Sequence, residues 1–446
     1  MTEQQGRLTG EQARVTGGQR RVAGEQAWVT GQQGRVAREQ GRVAGAQGRL
    51  FRLLIYGLVL ASSAAQYAVV PILPVYAHRL GLSGLQQGMA LGTTGLATLA
   101  FALPAGALSD RFGSRKLTLL AGWLITIALF TQALAGSFPV LLAARLGFGT
   151  GFAVVWTAGL SWLAEAAPGG PGLGGTVSSA GIGGVVGPAL SGVAVQYLGL
   201  TIPFLAVAGS FAMLTLALGL LRVRAGTPVQ PARMGTSLGA VACDRSMIAA
   251  AAAIVAAGGT TGVSALLVPS ELHAAGASPG QIGLVFAVAG VLFVAGSTLT
   301  ASAGSRAVRL PVLVAGLLAL ALAFLPAVVT SAPFAIVAMQ CATTAARSVL
   351  WTVSYPLAAA GSERTRAGLG VVMGLLNAVW AATVLLGPLA VGLAADTLSA
   401  QAVFGLTAAA CLAVSAVTLL VAGSFRRPGR LARVPGGERD TGPAGR

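Results

Sequence analysis

Two arginines stand where a charge is hardest to keep. Arg145 and Arg347 each sit in a long run of apolar and small residues, with Lys, Asp and Glu absent for many positions on either side. A guanidinium presents five donors in a planar fork, suited to a carboxylate, a phosphate or a set of carbonyl oxygens. Each arginine also belongs to a spaced quartet. Arg145, Gly149, Phe152 and Trp156 follow one another by four, three and four positions, as do Gln340, Thr344, Arg347 and Trp351. On a helix that spacing places each quartet on one face. A face carrying guanidinium and indole can hold an organic ligand through charge, hydrogen bonds and aromatic area. The same arginine can also serve as a hydrogen-bonding strut between helices, and both readings stay open for Arg347. Gln66 and Tyr67, and Asn377 and Trp380, are polar or amphipathic residues in two further apolar runs. Packed side chains satisfied by a neighbouring helix are the plainer account of those four.

The surrounding elements must be membrane helices. Of 446 residues, 55% are hydrophobic and 9% charged, against about a quarter charged in soluble domains. A span needs roughly 20 mainly apolar residues. Twelve such runs fall near 52–77, 84–108, 117–136, 138–163, 172–198, 201–221, 246–270, 280–303, 311–330, 333–359, 367–394 and 401–423, with Gly, Pro, Ser or charge at the joints. The expected fold class is therefore an all-α membrane protein of twelve transmembrane helices in two pseudo-symmetric six-helix bundles. The expected division is a basic repeat tail over 1–50, one bundle over 51–222, a linker over 223–245, a second bundle over 246–424 and a tail over 425–446. With the amino terminus inside, Arg111, Arg115, Lys116, Arg222, Arg224, Arg233, Arg245, Arg306, Arg309, Arg364 and Arg366 fall on inner loops and only Arg79 on an outer one. That bias predicts a multi-pass protein of the plasma membrane with both termini cytoplasmic.

The net charge of +17 does not point to nucleic acid, because the positives are scattered between apolar runs with no aromatic stacking motif. The three cysteines, Cys243, Cys341 and Cys411, have neither zinc-type nor redox spacing. No metal or other cofactor is expected. Residues 6–47 repeat a seven-residue unit, from GRLTGEQ to GRVAGAQ. One branched apolar residue per unit is too few for a coiled coil, and the recurrent glycine disfavours a helix.

The two halves repeat one another. An offset of 195 relates Pro74, His78, Gly81, Ser83, Gln86 and Gly88 to Pro269, His273, Gly276, Ser278, Gln281 and Gly283, and Trp156-Thr157 to Trp351-Thr352. Beyond the loop near Glu363 an offset of 200 relates Gly187-Pro188, Gly192 and Phe204 to Gly387-Pro388, Gly392 and Phe404. By the first offset Arg347 falls on Phe152. If pseudo-symmetry turns both quartets inward, two arginines and two tryptophans line one central cavity between the repeats.

Certain motifs carry a family resemblance. The segment from Gly106 through Asp110, Arg111 and Gly113 to Arg115 and Lys116 resembles the loop between spans two and three of the major facilitator superfamily. Its glycines permit a tight turn, and its acid and bases can latch one conformational state at the inner surface. The run Gly183, Gly187, Pro188, Ser191 and Gly192 resembles that superfamily's antiporter motif, with Ser191 in place of a usual glycine. Arg145 with Gly149 is similar to its span-four motif, and Pro71 with Pro74 to the proline pair of the twelve-span drug:proton antiporters, the closest type. The resemblance covers about residues 51–425. It implies the two-bundle fold, alternating access and a cavity lined mainly by spans 1, 4, 7 and 10.

The functional expectation is proton-linked efflux of small organic compounds or drugs, with the lipid bilayer, a small-molecule substrate and protons as partners. Glu165, Glu271, His78 and His273 are the candidate coupling groups, all near span ends. No carboxylate falls in mid-span, where a proton relay usually places one. The rival is an uptake carrier or uniporter for an anionic or polar metabolite, with the arginines binding the anion. A non-transporting membrane receptor is more remote. No nucleotide-binding loop or nucleophile elbow is present, so an enzyme is not expected.

Overall fold

The computed structural model describes residues 47–166, 172–221, 223, 244–365 and 369–423, apart from the side chains at 102, 103, 110, 172–174, 360–365, 369–371 and 421–423. Residues 1–46 of the repeat tail, most of the linker, the carboxy-terminal tail, Arg222, Arg366 and Cys243 lie outside the described residues, and the Asp110 and Arg364 side chains outside the described side chains, while residues 47–50, expected in the tail, are helical.

Among the described residues, twelve long helices run through the molecule. They are α1 (Gln47–Leu80), α2 (Gly84–Phe112), α3 (Ser114–Ala133), α4 (Phe138–Ala166), α5 (Gly172–Leu198), α6 (Thr201–Leu220), α7 (Arg245–Ala274), α8 (Pro279–Ser302), α9 (Leu310–Val329), α10 (Pro333–Thr365), α11 (Leu369–Ala395) and α12 (Ala400–Gly423). Eleven of them are long and apolar enough to cross a membrane by length and composition. The other, α2, has 29 residues, about 44 Å at the helical rise.

Several residues that repeat between the halves turn out to build the same joint twice. Gly81 and Gly276 end α1 and α7 with positive φ of 62° and 87°. Ser83 and Ser278 then start α2 and α8 with capping boxes closed by Gln86 and Gln281. Each box satisfies two backbone donors that a helix start leaves free. The chain thus reverses direction twice with one set of instructions.

Within the first half, α4 packs on α2 and α3, α3 on α6, and α5 on α6. The second half repeats this with α10 on α7, α8 and α9, and α9 on α12. Each half has a large apolar core, one around Phe148, Trp162 and Phe211, the other around Leu317, Leu350 and Phe404. Leu120 and Ile127 on α3, Met213 and Leu220 on α6, Leu322 on α9 and Leu420 on α12 are exposed. Apolar area spread this way on peripheral helices fits hydrocarbon, not water.

Two helices depart from regularity. In α4 the segment Val155–Gly159 is a π-turn. It inserts an extra residue into the helical repeat and swings the next turn to a new face. In α9 the helix breaks after Leu322 and resumes at Leu325, with Pro326 in the new first turn.

Candidate functional site

The halves meet along two seams, α2 with α11 and α5 with α8. Glycine makes both. A Cβ on Gly88 would strike the Pro388 carbonyl, and one on Gly283 would strike the Pro188 carbonyl. A Cβ on Gly392 would strike the Gly84 carbonyl, and one on Gly192 would strike the Pro279 carbonyl. These are the repeat-related pairs of the sequence, so the seams are two copies of one design. Backbone lies on backbone, close enough for weak C–H···O contacts. In α2 and α11 the contact runs from Gly84 and Gly392 as far as Gly95 and Ala381. In α5 and α8 it runs from Gly192 and Pro279 as far as Gly181 and Val294. Both seams therefore close the end of the bundle that carries Asp396. Toward the opposite end, which carries Arg111, Phe101, Leu108 and Phe112 on α2 and Gly374 and Asn377 on α11 are exposed.

The antiporter-type motif of α5 is built into this seam. Gly183 and Gly187 seat α5 against Leu60 and Ala64 of α1, while Pro188 and Gly192 face α8. Ser191, the departure from the usual glycine, donates a hydrogen bond to the Ala68 carbonyl of α1 at 2.9 Å. Its hydroxyl fixes α5 to α1 without obstructing α8.

Asp396 closes the first seam at its tip. The Gly84 N–H donates to one carboxylate oxygen at 2.7 Å and the Leu85 N–H to the other at 3.0 Å. A carboxylate on free N–H groups at a helix start is favourable electrostatically as well as by hydrogen bonding. The repeat places Gln196 opposite α8 in the corresponding position, against Gly280. There the residue equivalent to Gly84 is Pro279, which has no N–H to give.

The two arginines part company. Arg145 is 1% exposed. Its Nε donates to the Ala90 carbonyl at 3.0 Å and its Nη2 to Thr94 Oγ1 at 3.2 Å, both on α2. The Thr94 hydroxyl in turn donates to Gln66 Oε1 on α1 at 3.1 Å. The guanidinium also lies over the Phe148 ring, 5.4 Å from its centroid. Gly149 lets α4 close onto Thr94 and Ala97 of α2. Arg145 is thus a strut binding α4, α2 and α1, which corrects the expectation that both arginines line a common cavity. The face of Arg145 and Gly149 is turned onto α2, and the π-turn ends that face before Trp156. The Trp156 ring stacks obliquely on Phe152, and its Nε1 has no hydrogen-bond partner among the described residues.

Arg347 is half-buried and makes one hydrogen bond among the described residues, from Nη2 to Thr344 Oγ1 one turn back at 2.8 Å. Its Nε has no partner among them. Tyr67 of α1, in the other half, lies within electrostatic range of Arg347 and is 48% exposed. Arg347 lies about 21 Å along α10 from the Asp396 end, Tyr67 about 20 Å along α1, and Trp380 about 22 Å along α11. Trp351 packs edge-on against Trp380, with centroids 6.3 Å apart, and against Tyr355 at 5.6 Å. The Tyr355 hydroxyl donates to Asn377 Oδ1 at 3.1 Å. Gln340 is 2% exposed and reaches only Thr344, at 3.4 Å, leaving its Oε1 unpaired among the described residues. The structure therefore gathers Tyr67, Arg347, Trp351, Asn377 and Trp380 at mid-depth, and puts Gln66 with the strut. Tyr355 was not singled out in the sequence; its place one turn beyond Trp351 was the available signal.

The loop motif has a structural account for part of its length. Gly113 turns the chain with φ 91°. Arg115 caps the end of α6, donating from Nη2 to the Gly219 and Leu221 carbonyls at 2.8 and 3.0 Å. Glu165 accepts from the Ser114 hydroxyl at 2.7 Å, tying the end of α4 to the start of α3. Arg111 lies over Phe112, Lys116 is exposed, and Gly106 faces Thr157. His78 and His273 are exposed and Glu271 is half-buried near the end of α7.

Comparison with known proteins fits this architecture. The chain is 31% identical over 154 residues to the multi-drug resistance efflux pump PmrA homolog of Lactococcus lactis, covering 33% of this chain and 38% of that protein. It is 28% identical over 102 residues to the quinolone resistance protein NorA of Staphylococcus aureus, covering 22% and 26%. An uncharacterized MFS-type transporter of Bacillus subtilis, YuxJ, is 33% identical over 162 residues, covering 34% and 41%. The matched segments thus span less than half the length of each of these relatives. Among solved structures, a bacterial homolog of the human lysosomal transporter Spinster superposes with a TM-score of 0.70 at 18% identity, covering 84% of this chain and 97% of the other. The nucleoside transporter NupG does so with a TM-score of 0.67 at 12% identity, covering 83% and 99%. The family model of the Major Facilitator Superfamily matches residues 55–251 and 249–444, one match on each half. Twelve helices, two equivalent seams and that double match make the chain a member of the Major Facilitator Superfamily.

Proposed function

We propose that this protein exports small, partly aromatic organic molecules by alternating access, with protons as the coupling ion. One observation carries the transport reading. The seams join the halves only toward the Asp396 end, while Tyr67, Arg347, Trp351, Asn377 and Trp380 gather at mid-depth between them. With the Arg111 end in the cytoplasm, as the Lys and Arg bias places it, this is a carrier closed outside and open inside. Rocking the halves about the mid-depth cluster exposes it to the other side.

Export draws on the names of two relatives, a multi-drug efflux pump homolog and a quinolone resistance protein, and on the antiporter-type motif in α5. Proton coupling in this chain works at the helix ends. Of its twelve acidic residues, none lies in the middle of a span. Glu165 and Asp396 each bind a helix start.

Everted membrane vesicles test the reading with a panel of fluorescent aromatic compounds that are anionic, neutral and cationic. Accumulation of at least one compound, abolished by an uncoupler, is expected. Accumulation that survives the uncoupler removes the proton-linked part. Failure to move any compound in either direction removes the transport reading. Uptake by intact cells that is indifferent to the gradient supports the metabolite carrier instead.

A further inference from the structure

We infer that Arg347 is the anchor for an acidic group on the cargo, so that the cargo class is aromatic organic acids. The inference rests on the transport reading above and adds the charge and the contact residue. Its basis is an electrostatic imbalance at mid-depth. Arg145 and Arg347 are the only Lys or Arg residues in the middle of any described helix, and no Asp or Glu accompanies them. Arg145 is buried in the strut, where its Nε and Nη2 are both hydrogen-bonded. Arg347 is not. Of its donors, one is used locally on Thr344 and the Nε is left unpaired among the described residues.

The charged and titratable groups near Arg347 are few. Its own helix carries no other ionisable side chain from Pro333 to Ser354 except Cys341, a turn and a half away. Across the interface α1 offers only the Tyr67 phenol. On α11 the polar side chains in the middle of the helix are Thr383, bonded to the Trp380 carbonyl, and Asn377, bonded to Tyr355, and both are neutral. The aromatic neighbours supply area but no negative charge.

A bare guanidinium is tolerable while the cavity is open, because water solvates it. During transport both ends must close for a moment, and the water must largely leave. Arg145 meets neutral acceptors on α2, but Arg347 has one local acceptor and an unpaired Nε among the described residues, and a buried charge so poorly satisfied is strongly unfavourable. A cargo carboxylate, sulfonate or phosphate resolves this by pairing with the fork of Arg347, and an aromatic body beside it meets Trp351, Trp380 and Tyr67. A cationic cargo would add a second unpaired positive charge to the same space. The charge balance of the cavity therefore favours an acid over the neutral and cationic alternatives.

The test uses the purified full-length protein in detergent and three probes of one shape: 2-naphthoate, 2-naphthamide and 2-naphthylmethylammonium. Quenching of tryptophan fluorescence and the rise in melting temperature report binding. The expected result is saturable binding of 2-naphthoate, with the amide and the ammonium about tenfold weaker or worse, as loss of a charge-assisted contact predicts. R347Q should lose the preference for the acid, and R347K should keep part of it. Because the wild-type probe series decides the matter alone, a poorly folded variant does not rescue the idea. Equal binding of all three probes, binding of the ammonium in preference to the acid, or no binding of the acid overturns it. Charge-blind export of the compound panel would overturn it too while leaving the transport reading intact, whereas absence of any transport strikes the reading on which it rests.

Discussion

The two halves agree at the seams and disagree at α4 and α10. Gly88 and Gly283, Pro188 and Pro388, and Gly192 and Gly392 are repeat partners in the same structural role. The inward helices differ when aligned by the first repeat offset. Arg145 corresponds to Gln340 and Phe152 to Arg347. In α4 the cation occupies the sealed position, and the ring at the second position is buried as well. In α10 the amide is sealed and the cation half-open. Where two surfaces must match in shape, the copies have kept the same residues. On the inward helices they differ, and only the second half places a partly exposed cation there. Pseudo-symmetry therefore predicts backbone contacts well and chemistry poorly.

The largest break should come from the strut. Arg145→Met removes two buried charge-assisted hydrogen bonds, to the Ala90 carbonyl and to Thr94, at about 1.5–3 kcal/mol each. A melting temperature lowered by many degrees in detergent is the expected outcome; an unchanged one would show that α2 does not depend on Arg145. Next come the seams. Gly88→Leu and Gly283→Leu both put a branched side chain against a proline carbonyl and should prevent closure at the Asp396 end to similar extents. Labelling of a Leu385→Cys reporter by an impermeant thiol reagent, with the native cysteines removed, should rise severalfold in each. A rise in only one would mean that the seams are not equivalent.

Third, importing the α4 residue into α10 as Arg347→Phe should leave the melting temperature close to wild type while removing the binding of 2-naphthoate. Loss of fold instead would make Arg347 a second strut and erase the contrast with Arg145. The smallest effect belongs to the seam tips. Asp396→Asn removes a carboxylate from a helix start, worth about 0.3–1 kcal/mol at a solvent-exposed site, and should raise opening at that end slightly. Gln196→Asp should change less, because Pro279 has no N–H to receive. Comparable shifts for both would show that the helix start is not what Asp396 holds.

Much of the fold was legible in the sequence because its signals are local. Apolar runs, Pro and Gly at joints, and the paired Ser83/Gln86 and Ser278/Gln281 all act within a turn or two of their own position. The repeat offsets marked the glycines that became seams, although not which helix each would meet. The site was less legible. The face of Arg145 was misdirected because its partners are a backbone carbonyl, which no residue type announces, and Thr94 on another helix. The π-turn at Val155–Gly159 breaks the 3.6-residue periodicity on which the stripe from Arg145 to Trp156 relied. The role of Asp396 was hidden, since its binding to α2 spans more than 300 positions of chain.

A seam of glycine against carbonyl has a thermodynamic side. Side chains that interdigitate lose rotamer freedom when they lock, up to about 2 kcal/mol for the long flexible ones. Glycine has no rotamers to lose. The glycine contacts of the two seams therefore form with little loss of side-chain entropy, and the fit itself does not hold them shut through locked rotamers.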